Sequence, residues 1–105
     1  METPDFLPLG SIVVIRGNTK KLMVTARGLA LKQEGVFKYF DYGGCLYPEG
    51  MIGDTVVYFN HNAIQKVIFE GYVDEDNQLH LDTLCENLKG LTMEKGDPPP
   101  YQLPL

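Results

Sequence analysis

The run Ser11-Ile12-Val13-Val14-Ile15-Arg16 is β-branched and apolar at successive positions, the pattern of a strand buried on both faces. Gly17-Asn18 follows it, and both residues tolerate positive φ, so a turn is predicted there. From Lys20 to Arg27 the side chains alternate. Leu22, Val24 and Ala26 point one way, and Lys21, Met23, Thr25 and Arg27 the other. The two segments predict a first hairpin over 11–27. Gly28 to Gly35 reads as a connecting loop carrying the apolar patch Leu29-Ala30-Leu31. A third strand, rich in aromatics, runs from Val36 to about Tyr42. Gly43-Gly44 interrupts it as a bulge or sharp bend before Cys45-Leu46-Tyr47 continues.

Pro48-Glu49-Gly50 and Gly53 mark the next loop, and Thr55-Val56-Val57-Tyr58-Phe59 predicts a fourth strand. Asn60-His61-Asn62 offers a side-chain cap for a helical turn through Lys66, and Val67 to Tyr72 returns as a fifth strand. Asp74-Glu75-Asp76-Asn77 makes an acidic turn able to cap a helix after it. Leu81, Leu84, Cys85 and Leu88 then recur at helical spacing, with a stop at Lys89-Gly90. The pattern predicts a mainly β, α+β chain: a five-stranded curled antiparallel sheet or SH3-like barrel, with one helical turn between strands four and five and a C-terminal helix. Residues 1–10 read as a lead-in, 11–90 as one domain, and 91–105 as a proline-rich extended tail.

A length of 105 residues with 44% hydrophobic and 22% charged residues fits one domain with one core. No segment approaches the roughly 20 apolar residues that cross a bilayer. The acidic, proline-broken start lacks the shape of a secretory signal. Cys45 and Cys85 read as reduced thiols, so a cytoplasmic location is expected. The net charge of −5 is unevenly spread. Arg16, Lys20, Lys21, Arg27, Lys32 and Lys38 face only Glu34 in the first third, whereas Glu70 to Glu86 holds acids and no base. Such polarity can steer a complementary partner, or reflect two exposed hairpins of different sign.

Candidate chemistry is sparse. Neither Cys45 nor Cys85 has the flanks of a nucleophile motif to combine with His61 or His80. The acids from Asp74 to Asp76 lack the spacing and glycine of a calcium loop, and no metal-ligand pairing is present. No catalytic residue, cofactor or metal is therefore expected. Phe37, Tyr39 and Tyr42 beside a basic hairpin could stack bases, but the calculated pI near 4.8 argues against a nucleic-acid module. The segment from Tyr39 to Gly50 holds three tyrosines, and strand alternation should leave at least one phenol near the surface. Tyr39, Asp41, Tyr42 and Tyr47 are accordingly candidate protein-contact residues, with Arg27 beside them. Alternatively, these hydroxyls satisfy one another, Asp41 or the backbone.

Four blocks carry a family resemblance. They are Leu7 to Val13; Lys20-Lys21-Leu22-Met23-Val24 with Arg27; Phe40-Asp41-Tyr42 with Tyr47-Pro48-Glu49-Gly50; and Phe59-Asn60 with Ile64, Val67 and Phe69-Glu70-Gly71-Tyr72. In this the chain resembles a family of small proteins of Gram-positive bacteria known only as a domain of unknown function, number four-one-seven-six. Thr25-Ala26-Arg27 departs from the isoleucine, glycine and arginine expected there. The resemblance implies genes beside type VII secretion loci that carry LXG-type toxins. It implies a non-enzymatic accessory protein, an adaptor or chaperone binding a secretion effector or toxin, or alternatively an immunity protein. It assigns no catalytic residues.

Overall fold

Residues 3–96 are described by a computed structural model, in which five antiparallel strands form one sheet in the order β4-β3-β2-β1-β5. The strands are β1 (Ile12–Ile15), β2 (Lys21–Gln33), β3 (Val36–Tyr47), β4 (Val57–Phe59) and β5 (Ile64–Phe69). A single 3-10 turn, His61–Ala63, separates the last two strands, and helix α1 (Glu75–Leu88) follows. The chain meanders from β1 to β4, then crosses back so that β5 pairs with the outer side of β1. The sheet is curled but stays open, with β4 and β5 at opposite edges. The expected mainly β fold is therefore present in its sheet form, without closure into a barrel.

The first hairpin pairs Ile12 with Met23 and Val14 with Lys21. Its turn has Gly17 at φ 77° and is tied by Asn18, whose amide donates to Ile15 O and whose Oδ1 accepts from Lys20 N. The expected loop at Gly28–Gly35 is instead strand. β2 runs on to Gln33 and meets Val36 of β3 across a two-residue turn, with Glu34 at φ 50° and Gly35 at φ 81°. Paired φ values of this sign suit the right-handed twist of a hairpin.

The bulge also lies elsewhere than expected. β3 passes straight through Gly43-Gly44, and the extra residue is Thr25 on β2, between the pairs Val24–Gly44 and Ala26–Gly43. The glycines are needed for space. A Cβ on Gly44 would lie 2.6 Å from Met23 O, and one on Gly43 would lie 2.6 Å from a Leu29 methyl.

Three elements have bounds that differ from the sequence reading. β4 is shorter, β5 begins at Ile64 and ends at Phe69, and α1 starts at Glu75. Asn60 precedes the 3-10 turn without capping it. Its side chain instead spans the fold, accepting from Asp41 N at 3.0 Å and donating to Gly96 O at 3.0 Å. Asp74 does cap α1, its Oδ1 accepting from Asn77 N at 3.0 Å. Leu81, Leu84, Cys85 and Leu88 form the helix face that packs on the core. Gly28, at φ 65°, lets α1 approach: a Cβ there would meet the Leu84 side chain at 2.6 Å.

The core gathers Phe6, Val13, Leu22, Val24, Tyr39, Tyr42, Leu46, Phe59 and Leu88. Each buried side chain of this size contributes about 1.5–3 kcal/mol of transfer free energy. The lead-in thus supplies a core ring, Phe6, which meets Tyr42 edge-on at 5.8 Å. At the other end, residues 94–96 lie beside β3. Tyr39 N donates to Glu94 O at 2.8 Å, and Gly96 N donates to Tyr39 O at 2.9 Å. The proline-rich tail from residue 97 onward lies outside the described residues.

Candidate interaction surface

Strand β3 is covered on both sides through its middle, and every residue from Tyr39 to Leu46 is buried. Tyr39, Asp41 and Tyr42 therefore lie inside the fold, whereas Tyr47 is 45% exposed. Two of the rings offered for base stacking, Tyr39 and Tyr42, are interior, while Phe37 remains exposed near Lys32.

The interior polar groups tie distant segments together. Tyr42 OH accepts from Leu7 N at 2.9 Å and shares a hydrogen bond with His61 Nδ1 at 2.8 Å. Burial pushes the Tyr42 phenol up to about 12, with Leu7 N partly offsetting the rise. Asp41 Oδ2 accepts from His61 N at 2.9 Å and from Lys95 Nζ at 3.2 Å. Asp41 Oδ1 and the Tyr39 hydroxyl lack good hydrogen bonds. Burial, reinforced by the neighbouring Asp41 carboxylate, raises the Tyr39 phenol above its ordinary value.

Surface apolar groups concentrate at β5. Its residues are all at least partly exposed, and Val67, Ile68 and Phe69 continue into exposed Tyr72 and Val73. Phe69 is 60% exposed and Tyr72 79% exposed. Opposed residues of an antiparallel pair share a face. Phe69, Ile12, Met23 and Cys45 thus form one row on the sheet's outer face, and Lys66, Val14, Lys21 and Tyr47 form the next. Between these rows lies a groove of ≈480 Å³, with Ile12 on its floor and Tyr47, Lys21, Ile68 and Phe69 around it. The pairing of β5 with β1 is irregular, skipping Ile68 and Gln65. Such bulges twist an edge and discourage plain strand addition, so side chains rather than backbone groups are what this edge offers a partner.

Arg27 lies in a second cavity, also ≈480 Å³, bounded by Leu9, Tyr72 and the first turns of α1. Arg27 as a whole residue is 8% exposed. Nη1 donates to Asn77 Oδ1 at 2.7 Å and more weakly to Leu7 O at 3.4 Å, but Nε has no partner. Burial lowers the Arg27 pKa from its ordinary value.

Cys45 is buried and Cys85 half-buried, both as free thiols. His61 is engaged with Tyr42, and His80 borders the Arg27 cavity. Among the described residues no cluster of three or more His, Cys, Asp or Glu could hold a metal ion. No helix among them is long and apolar enough to cross a membrane.

A family model described as a domain of unknown function, DUF4176, matches residues 6–79. The chain belongs to this family. The DUF4176 match begins at the core ring Phe6, takes in all five strands and ends within α1. It therefore includes the β5 surface and Arg27, and leaves out most of the helix and residues 91–96. No curated protein and no solved structure matches the chain.

Sequence reasoning left β5 without a surface role. The available signal was an apolar run, Val67-Ile68-Phe69 with Tyr72-Val73, in which both strand parities are hydrophobic although a single helix follows to cover them. Pairing of β5 at the sheet edge is what exposes this run, and that order is not written in any local motif.

Proposed function

We propose that the protein is a non-enzymatic accessory factor that holds a protein partner against the outer face of β1, β5 and Tyr47. The observation carrying this reading is the exposed apolar pair Ile68 and Phe69, which lines one groove with Tyr47. Aromatic and aliphatic side chains around a groove are the usual anchors of protein interfaces. The partner suggested by the family resemblance is an LXG-type effector of a type VII secretion system, with the protein serving as its cytoplasmic adaptor or chaperone.

The test is co-purification of this chain with an LXG effector encoded beside its gene. Phe69→Asp and Tyr47→Asp should each abolish capture while the melting temperature stays near that of the wild type. Equal capture by wild type and both variants would refute the surface, and no capture by wild type would refute the partner class.

A second reading, that of an immunity protein, is favoured by one feature. A cleft of ≈310 Å³ between the lead-in and α1 is bordered by Asp5, Glu70 and Asp82 and by no basic residue. Such a surface complements the basic active site of a nuclease toxin. Protection of cells expressing the toxin's catalytic domain alone supports this reading, because a secretion chaperone gives none.

A further inference from the structure

A buried charge costs several kcal/mol unless it is paired, and Arg27 is buried with no carboxylate partner among the described residues. The ion pairs among the described residues join Lys20 to Glu49, Lys38 to Glu94, Lys89 to Glu86 and Lys95 to Asp41. None of them reaches Arg27. Its hydrogen bonds to Asn77 Oδ1 and Leu7 O take up Nη1 only, and Nε is sealed from solvent without an acceptor. The side chain faces a cavity large enough for a small ligand. Arg27 is thus a buried cation beside a hollow, and no carboxylate among the described residues forms an ion pair with it.

The mouth of the same cavity carries the opposite sign. Asp74 and Asp76 border it on the first turn of α1, with His80 one turn further along. Asp74 is committed to capping, through its contact with Asn77 N, and Asp76 forms no ion pair among the described residues. Leu9 and Tyr72 supply apolar surface at the mouth. A simple anion would gain Arg27 and the helix N-terminus but meet two carboxylates. A group with a carboxylate inward and a cation beside it satisfies both ends.

We propose that this cavity binds a zwitterionic group: a carboxylate held by the buried Arg27 guanidinium, with an adjacent ammonium or basic group held by Asp76 at the mouth. The bond to Arg27 is charge-assisted. The site is separate from the Tyr47–Phe69 groove and does not depend on the role proposed for that face.

The chemistry has two sources, a free α-amino acid or adjacent acidic and basic side chains of a protein segment. The probes are phenylalanine, N-acetyl-phenylalanine, phenylalaninamide, and a dipeptide of aspartate and lysine blocked at both ends. Each is titrated into the full chain while the Nε–H resonance of Arg27 is followed by NMR. Phenylalanine is expected to shift that resonance saturably. Phenylalaninamide, which lacks the carboxylate, should bind about tenfold more weakly or worse, and N-acetyl-phenylalanine, which lacks the ammonium, should also be weaker. Tighter binding of the blocked dipeptide than of phenylalanine assigns the site to a protein segment, and the reverse order assigns it to a free amino acid. A linear, unsaturating response to all four, or equal response to phenylalanine and its amide, overturns the proposal. Arg27→Met gives a second readout: it should abolish the titration without lowering the melting temperature. A saturable response that survives in this variant, read from neighbouring amides, overturns it as well.

Discussion

Replacing Tyr42 by phenylalanine removes one oxygen from the centre of the fold and leaves every ring contact in place. The ring of Tyr42 stacks on Phe59 at 5.2 Å and on His61 at 5.8 Å and meets Phe6 edge-on, and none of these needs the hydroxyl. The hydroxyl accepts from Leu7 N and shares a hydrogen bond with His61 Nδ1, so its loss strips a partner from both. A typical hydrogen bond contributes about 1 kcal/mol net, and a stranded buried partner costs about 1–3 kcal/mol. Both partners here are only part-buried, so Tyr42→Phe should destabilise the protein by about 2 kcal/mol. For a domain of this size that lowers the melting temperature by about 10 °C.

Urea unfolding measures the free energy, and an unchanged slope would show that the same surface is exposed. Combining Tyr42→Phe with His61→Ala in a double-mutant cycle isolates the phenol–imidazole contact, where a coupling of about 0.5–1.5 kcal/mol is expected. Hydrogen exchange at the Leu7 amide should accelerate locally. A loss within about 0.5 kcal/mol, with the Leu7 amide still protected, would refute the role given to this hydroxyl.

Four further outcomes are expected. Because the folded Tyr42 phenol is raised from 10.0 to about 12, its contribution is full below pH 10 and is lost as pH rises toward 12; alkaline melts should show this decline, and Tyr42→Phe should flatten it. Ending the chain after Gly96 should move the melting temperature by only a few degrees, whereas ending it after Met93 removes the Tyr39, Asn60 and Asp41 contacts and should cost far more; calorimetry on the two truncations decides. Gly44→Ala should destabilise by about 2 kcal/mol or more, because the new Cβ meets backbone at 2.6 Å, while Gly17→Ala costs about 1 kcal/mol from its positive φ alone; chemical denaturation of the pair would show the order reversed if packing at Gly44 is looser. Lowering pH should weaken the contact between Lys38 and Glu94, since the Lys38 hydrogen bond lowers the Glu94 pKa; that contribution is present above the ordinary carboxylate range and fades as pH falls through the depressed value, which NMR titration of the Glu94 carboxyl would follow.

The hairpin at 11–27 was legible because β-branched residues, alternation and Gly17-Asn18 all point the same way. The strand through Gly28–Gly35 was not, since glycines at both ends resemble loop punctuation. Gly28 is there to admit Leu84 and Gly35 to turn a hairpin, and both reasons are tertiary or local geometry invisible to pattern. Gly43-Gly44 misled in the same way, carrying close packing while the irregularity fell on Thr25 opposite. Alternation placed a phenol at the surface, which Tyr47 is, but it could not separate Tyr47 from Tyr39 and Tyr42. β3 is covered on both sides by chain from far ends of the sequence, so the period of two carries no information there. Arg27 was legible only as a residue beside those tyrosines, and its burial with an unpartnered Nε required coordinates.

The return of β5 to the far side of β1 sets an order of assembly on the ribosome. β1 to β4 form a meander of neighbours and can pair as they emerge, while one flank of β1 stays bare until Ile64–Phe69 has been synthesised. Phe6 enters the core near Tyr42, and Glu94 and Gly96 close on Tyr39, so segments far apart in sequence dock on the same strand, β3. Contacts between such distant positions make folding slower than for a locally connected sheet. A nascent chain held at β4 therefore presents an unpaired, apolar strand edge, the kind of surface from which misassembly begins.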